Sequence, residues 1–96
     1  MERILIVFRA AIDAETVRRR CSLGVAQEHE MAVCYVLPPH AATLEGAVDA
    51  QRRITVSLRQ ALDHRAETIP IFVVTEGEGD GIDDCAREWG ATVVDA

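Results

Sequence analysis

The sequence predicts one α/β domain: an open parallel sheet of four strands with helices on both faces. Two observations carry this prediction. Four short apolar runs alternate with three segments of helical periodicity, and no segment of the chain is left over. Each connection is also long enough to hold a helix that crosses the sheet, which favours parallel strands and right-handed crossovers. We therefore expect residues 1–96 to form a single domain.

The first half of the chain contains two predicted strands and one predicted helix. Residues 4–8 and 31–37 are continuous apolar runs, typical of strands that are covered on both faces. Between them, apolar residues recur at helical spacing from Asp13 to about Glu30, and Asp13 is a suitable N-cap. Two prolines follow the second strand and end it, because proline cannot donate a backbone N–H to a neighbouring strand.

The second half repeats this alternation. Residues 44–66 have one apolar stripe at helical spacing and predict the longest helix. Residues 69–74 predict a third strand, and Pro70 near its start indicates either an edge strand or the first residues of one. A short helix over residues 82–89 follows, with Gly90 as its C′ residue, and residues 91–94 predict the fourth strand.

Composition excludes several kinds of partner and site. Ten basic residues, all of them Arg, stand against 16 acidic ones, so the net charge is −6 at pH 7. Nucleic acid and anionic membranes would repel such a protein at long range, and we expect neither as a partner. No apolar run approaches the roughly 20 residues of a membrane span, and the first run is too short for a secretory signal, so we expect a cytoplasmic location. Three widely separated cysteines predict neither a disulfide nor a metal site.

Three features of the sequence are similar to the universal stress protein family. The chain opens with RILIV at residues 3–7, and a helix begins a few residues later. A long second helix leads into the third strand. EGEGDGI at residues 76–82 and WGATVV at residues 89–94 then resemble the family's Gly-Asp turn, helix and final strand. The resemblance covers essentially the whole chain by pattern and implies the strand order 3-2-1-4, although adenine-nucleotide α-hydrolase domains share the same α/β half.

The sequence departs from the family's nucleotide-binding pattern in two places. ATP-binding members carry an Asp at the end of the first strand, where this chain has Arg9. They also carry a G-x-x-G-x(9)-G-[ST] signature after the fourth strand, where only Asp95 and Ala96 follow here, and the family's fourth helix and fifth strand have no counterpart. The resemblance therefore implies a shortened, dimeric, stress-protein-like domain that does not bind nucleotides, and we expect no cofactor.

The glycine-rich turn before the last helix is a poor phosphate site. It has the position of a phosphate-binding turn, but five carboxylates lie between residues 76 and 84. Each would repel a phosphate by about 1 kcal/mol, whereas a helix N-terminus attracts an anion by only about 0.3–1 kcal/mol. These carboxylates could hold a hard cation, but capping of the helix explains them more simply because no EF-hand spacing is present. A metal-dependent enzyme built on this turn is our third functional hypothesis.

Arg9 is the candidate ligand-binding residue. In open α/β sheets ligands bind beyond the carboxyl ends of the strands, where the strand order reverses. In the order 3-2-1-4 that point lies between the first and fourth strands, which end near Arg9 and Asp95. The predicted ligand-binding residues are therefore Arg9, Asp13 and Asp95. Arg9 would anchor an anion together with the amides of the first helix, or it would pair with one of the two aspartates and fill the crevice.

The remaining polar residues predict no catalytic site. The triplet Arg18-Arg19-Arg20 spans about 200° of a helix and is expected to form a solvated face that pairs with Glu15 and Glu28. No serine or threonine has a nearby histidine with the orienting acid that nucleophilic catalysis requires. We therefore predict no catalytic residue and no enzymatic activity.

The fourth strand predicts a homodimer. As an apolar edge strand it would need to be covered or paired, and the predicted interface residues are Trp89, Thr92, Val93 and Val94. The leading functional hypothesis is a non-enzymatic, stress-protein-like domain that acts through self-association or an unknown protein partner. The alternative is a small-ligand or nucleotide sensor with Arg9 as the anion anchor.

Overall fold

The computed structural model describes residues 2–9, 13–75 and 81–94. Within them, all strand pairs are parallel and the strand order is β3-β2-β1-β4. The predicted fold class and strand order are therefore confirmed. The strands are β1 (Arg3–Phe8), β2 (Glu30–Leu37), β3 (Ile71–Thr75) and β4 (Thr92–Val94).

Within the described residues, three α-helices cover the two faces of the sheet. They are α1 (Ala14–Ala26), α2 (Leu44–Leu62) and α3 (Gly81–Trp89). Alternate residues of β1 point to opposite faces, so Ile6 packs with α1 and α2 whereas Leu5 packs with α3. Both side chains are fully buried, and each such burial stabilises the fold by about 1.5–3 kcal/mol. None of the helices in the described ranges is both long and apolar enough to cross a membrane.

β3 is an edge strand among the described strands, as Pro70 predicts, but it begins at Ile71 and not at Ile69. β3 pairs only with β2 among the described strands. The carbonyl of Pro70 accepts a hydrogen bond from the Val33 N–H at 2.9 Å. Pro70 stands one residue before the described pairing of β3 begins at Ile71, and the start of an edge strand is a position where proline is tolerated.

α1 is shorter than the sequence predicts, because it ends at Ala26 and not near Glu30. Glu28 turns the chain with a φ of 56°. The N–H groups of Glu28 and His29 donate back to carbonyls of the last helical turn at 3.2 and 2.9 Å, which is the pattern of a Schellman motif. Glu30 is then free to begin β2 opposite Arg3.

α2 also ends before its predicted boundary. The α-helix ends at Leu62, the next residue Asp63 adopts a φ of 53°, and residues 63–68 continue as 3-10 helix.

The end of α3 agrees with its prediction. Gly90 has a φ of 68°, and the N–H groups of Gly90 and Ala91 donate to carbonyls of the last turn at 3.3 and 2.8 Å.

Candidate functional site at the β1–β4 switch point

The strand order reverses at β1. The chain proceeds from β1 through β2 to β3 in one direction, and β4 then pairs with the other side of β1. The carboxyl ends of β1 and β4 therefore border the crevice where open α/β sheets bind ligands. In the register of this pair, Val94 lies opposite Ile6, so both strands reach this end of the sheet.

The structure places two of the three predicted ligand-binding residues. Arg9 directly follows β1 and is exposed. Asp13 precedes α1, and its carboxylate Oδ1 accepts a hydrogen bond from the Thr16 N–H at 2.7 Å. This hydrogen bond lowers the pKa of Asp13, and the carboxylate acts as the helix cap that the sequence predicts. Asp95 lies outside the described residues, so the proposed ligand set stays a prediction.

Arg20 of α1 also reaches the switch point, although it lies on a helix and does not follow a strand as Arg9 does. Its Nη1 donates to the carbonyl of Val7 and its Nη2 to the carbonyl of Val94, the latter at 3.4 Å. The Arg20 Cζ also lies 4.8 Å from the centroid of the Phe8 ring. The guanidinium therefore joins the carboxyl ends of β1 and β4. The prediction that all three arginines of the triplet form a solvated face is wrong for Arg20, which is half-buried.

The phase of α1 explains why Arg20 points to the sheet. Val17, Cys21 and Gly24 are buried on the face that packs against the sheet. Arg20 is three residues after Val17 and four before Gly24, so it shares that face. A basic residue in phase with an apolar stripe is the signal in the sequence that could have identified Arg20.

The contacts of Arg20 limit what the switch point can bind. A guanidinium has five N–H donors and no acceptor. Two different carbonyl oxygens already accept hydrogen bonds from it, and the Phe8 ring covers one of its faces. Fewer donors therefore remain for an anion than an unengaged arginine would offer. The arrangement is suited to holding β4 against β1.

A cavity of about 260 Å³ lies at the carboxyl end of β2, beside the first half of α2. Its polar lining groups come from Tyr35, His40, Asp49 and Arg53. The Asp49 Oδ2 lies 3.1 Å from the Arg53 Nε, so these two charges neutralise each other at the rim. The apolar lining comes from Leu37, Pro38, Ile54 and nearby alanines. Its volume is below the roughly 300–1,000 Å³ of most small-molecule sites, but its mixed apolar and polar lining is typical of them.

The predicted interface residues divide into two groups. Trp89 and Val93 are half-buried and pack against the core on the α3 side. Thr92 and Val94 are exposed, Val94 to 37%. β4 pairs with β1 along one edge, and no strand within residues 2–9, 13–75 and 81–94 pairs with its other edge. The exposed part of the predicted interface is therefore Thr92 and Val94, beside the edge of β4 with which no described strand pairs.

Only part of the acidic turn lies within the described residues. Residues 76–80 lie outside the described ranges, whereas Asp83 and Asp84 form the first turn of α3, where carboxylates complement the helix dipole. Asp84 also pairs with Arg87 at 3.5 Å. The described residues contain no cluster of three or more His, Cys, Asp or Glu side chains that could hold a metal ion.

Comparison with known proteins supports the fold. No family model matches the sequence, and no curated protein matches it either. Among solved structures, the universal stress protein from Archaeoglobus fulgidus is similar to this chain, with a TM-score of 0.62 and 18% sequence identity. The match covers 99% of this chain and 74% of that one. At this identity the likeness concerns architecture alone: the chain has a universal-stress-protein-like α/β fold.

Proposed function

We propose that this chain is a non-enzymatic, stress-protein-like module that acts by self-association through the edge of β4. The observation that carries the proposal is this edge, where Thr92 and Val94 are exposed and no described strand pairs with the outer side. Unpaired N–H and C=O groups of an edge strand are a template for a further strand. A second copy of the chain carries the same template.

Symmetry defines how two such edges would meet. Two identical strands related by a twofold axis run antiparallel, so the two four-stranded sheets would form one continuous sheet. Val93 packs against the α3-side core, so its neighbours Thr92 and Val94 point to the opposite face of the sheet. There they would contact the same side chains of the second copy and lose their exposure to water.

The contact of Arg20 with Val94 supports this use of β4. β4 has only three residues and its pairing with β1 is correspondingly short. The hydrogen bond from Arg20 to the Val94 carbonyl holds the last described residue of β4 in line with β1. A short edge strand that is fixed in this way loses less conformational entropy when it pairs with a second copy.

Sedimentation equilibrium tests the proposal. We expect the wild-type chain to associate at micromolar concentration, and Val94→Lys to lower its association state because a charged edge residue opposes strand pairing. Gln27→Lys is the matched control, since it adds the same charge at an exposed position away from β4. A monodisperse wild-type monomer would overturn the proposal. So would a Val94→Lys variant that associates as strongly as the control.

A small-ligand sensor is the second candidate function, and the cavity beside β2 favours it. The cavity lies at the carboxyl edge of the sheet, as Arg9 does, but the arginine of its lining is Arg53. Melting curves with phosphate, AMP and ATP test the hypothesis on the wild type, Arg9→Ala, Arg53→Ala and the exposed control Arg18→Ala. An increase in Tm with ATP that Arg9→Ala or Arg53→Ala removes, and Arg18→Ala does not, would replace the leading proposal with this one.

A further inference from the structure

We propose that the outward face of α2 is a second association surface, which pairs antiparallel with the same face of another copy. We call this face the α2 seam. It is separate from the β4 edge and does not depend on that edge. The α2 seam consists of Glu45, Val48, Arg52, Val56 and Arg59.

The helix geometry places these residues on one face, away from the sheet. They follow one another at intervals of three or four residues, whereas the buried residues of α2, among them Ile54 and Leu58, lie on the opposite side. Val48 and Val56 are 47% and 49% exposed. Leu44, which begins the helix beside the seam, is 82% exposed. An otherwise charged helix face thus leaves three aliphatic side chains in water.

The spacing of the seam is symmetric about Arg52. Val48 and Val56 lie four residues to either side of it, and Glu45 and Arg59 lie seven residues to either side. Antiparallel pairing around a twofold axis at Arg52 therefore brings Val48 of each copy against Val56 of the other, and Glu45 against Arg59. Parallel pairing would instead place Glu45 against Glu45 and Arg59 against Arg59. The charges therefore select an antiparallel second copy as the occupant.

The centre of the seam is positively charged. Two copies of Arg52, an exposed residue, meet near the axis, and Asp49 one helical turn earlier already pairs with Arg53. The Val48–Val56 and Glu45–Arg59 contacts therefore have to outweigh the repulsion between the two Arg52 side chains. A depression of about 360 Å³ adjoins this part of the helix, lined by Leu44, Glu45, Val48, Asp49 and Arg52. It offers room for an aliphatic side chain of the second copy beside Val48.

The position of α2 allows both association surfaces to act together. α2 contacts β2 and β3, whereas β4 forms the opposite edge of the sheet. The 19-residue helix is about 28 Å long, so a single helix pair makes a small interface. The charges of Glu45 and Arg59 in this interface are exposed. We therefore expect the contact between the two helices to weaken as salt screens these charges.

Cysteine cross-linking tests the antiparallel register. The background carries Val94→Lys, which removes the contribution of the β4 edge, and Cys85→Ala, which removes the half-buried thiol. With oxidised glutathione, we expect Arg52→Cys to give a disulfide-linked dimer, because each copy meets its own counterpart at the axis. Val48→Cys and Val56→Cys should cross-link when mixed but not separately. Arg52→Cys that cross-links no more than Gln27→Cys would overturn the proposal, whatever the outcome at β4.

A charge exchange tests the pairing without a covalent bond. In the Val94→Lys background at low salt, Glu45→Arg or Arg59→Glu should weaken association severalfold by sedimentation equilibrium, because each places like charges opposite one another. The double variant Glu45→Arg/Arg59→Glu should restore it. Arg65→Glu, at an exposed position outside α2, is the matched control and should have little effect. Single variants that match this control, or a double variant weaker than either single one, would overturn the proposal.

Discussion

The Arg3 guanidinium lies over the Trp89 ring, with 5.2 Å between the Arg3 Cζ and the ring centroid. Arg3 Nη1 also donates to the Trp89 carbonyl at 2.8 Å, and Arg3 Nε pairs with the Glu30 carboxylate at 2.6 Å. One side chain thus joins the amino ends of β1 and β2 to the end of α3. At the other end of β1, Arg20 joins the carboxyl ends of β1 and β4 through hydrogen bonds to the carbonyls of Val7 and Val94. The central strand is therefore held at both ends by an arginine that contacts backbone carbonyls.

Arg3→Ala should lower the free energy of unfolding by about 1–2 kcal/mol, because it removes the ring contact and two charge-assisted hydrogen bonds at a partly exposed position. Trp89 is the single tryptophan of the chain, so its fluorescence spectrum should also change. Urea unfolding monitored by fluorescence measures both effects. Arg18→Ala, which removes an exposed arginine of α1, should change neither. An unchanged spectrum in Arg3→Ala would contradict the stacked geometry.

Arg20→Ala should destabilise the fold by about 1–3 kcal/mol, because the carbonyls of Val7 and Val94 lose a charged donor and Phe8 loses its cation. Arg20→Lys should recover only part of this loss, since an ammonium lacks the planar fork that reaches two carbonyls. Hydrogen exchange should show faster exchange of the β4 amides in Arg20→Ala. Arg19→Ala, at the neighbouring exposed position, serves as the control. Equal exchange rates of the β4 amides in both variants would contradict the hydrogen bond from Arg20 to the Val94 carbonyl.

The sequence was sufficient for the sheet but not for the contacts at its ends. Hydrophobic runs and crossover lengths predict a parallel sheet of four strands, and the resemblance to the universal stress protein family implies the strand order and with it the place of the switch point. Arg9 is predicted at that place because it follows β1 in sequence. Arg20 reaches the same place from α1, since a long side chain on the buried face of a helix spans the distance to the strand ends. Only the helical phase of Arg20 carried that information.

The helix ends show a similar limit. Gly90 could be predicted as a C′ residue because glycine adopts positive φ without steric cost. Glu28 and Asp63 adopt φ values of 56° and 53° without being glycine or asparagine. Glutamate gives no signal of a helix end, and aspartate gives only a weak one because it tolerates positive φ better than most residues. Both α1 and α2 are therefore predicted too long. The pairing of Glu30 with Arg3 in the sheet, a tertiary contact, sets the end of α1 instead.

Glu28→Gly should stabilise the protein by up to about 1 kcal/mol, because glycine relieves the positive φ at the end of α1. Gly90→Ala is the complementary change. A Cβ at Gly90 would meet no atom within 4 Å, so only its φ of 68° opposes the substitution. We expect a loss of about 1–2 kcal/mol, measured by urea unfolding. A Glu28→Gly variant less stable than the wild type would show that the Glu28 side chain outweighs its backbone strain.

Gly46→Ala should destabilise the start of α2. The Gly46 N–H donates to the Thr43 hydroxyl cap at 3.0 Å, and an added Cβ would collide with the backbone carbonyl of Ala41. A backbone atom cannot move aside as a flexible side chain can, so we expect a loss of about 1–3 kcal/mol. Gln51→Ala, at an exposed position of the same helix, should be nearly neutral. Thermal melting compares the two, and equal Tm values would contradict the close approach of α2 to residue 41.

The buried thiol of Cys21 should make stability depend on pH in the alkaline range. Burial raises the pKa of Cys21 from 9.0 to about 11, so the folded state favours the neutral thiol more than the unfolded state does. The resulting stabilisation is fully present below pH 9 and is lost as the pH rises towards about 11. Urea midpoints measured across this range should therefore fall more steeply for the wild type than for Cys21→Ala, which lacks the titrating group.

Cys85 provides the comparison within the same molecule. Burial also raises its pKa, but Cys85 is half-buried whereas Cys21 is fully buried. Iodoacetamide should accordingly modify Cys85 of the native protein well before Cys21, and mass spectrometry of the digested protein resolves the two sites. Equal pH slopes for the wild type and Cys21→Ala, or modification of Cys21 first, would contradict the packing of α1 against β1. That packing also directs Arg20, which precedes Cys21 on the same face, to the carboxyl ends of β1 and β4.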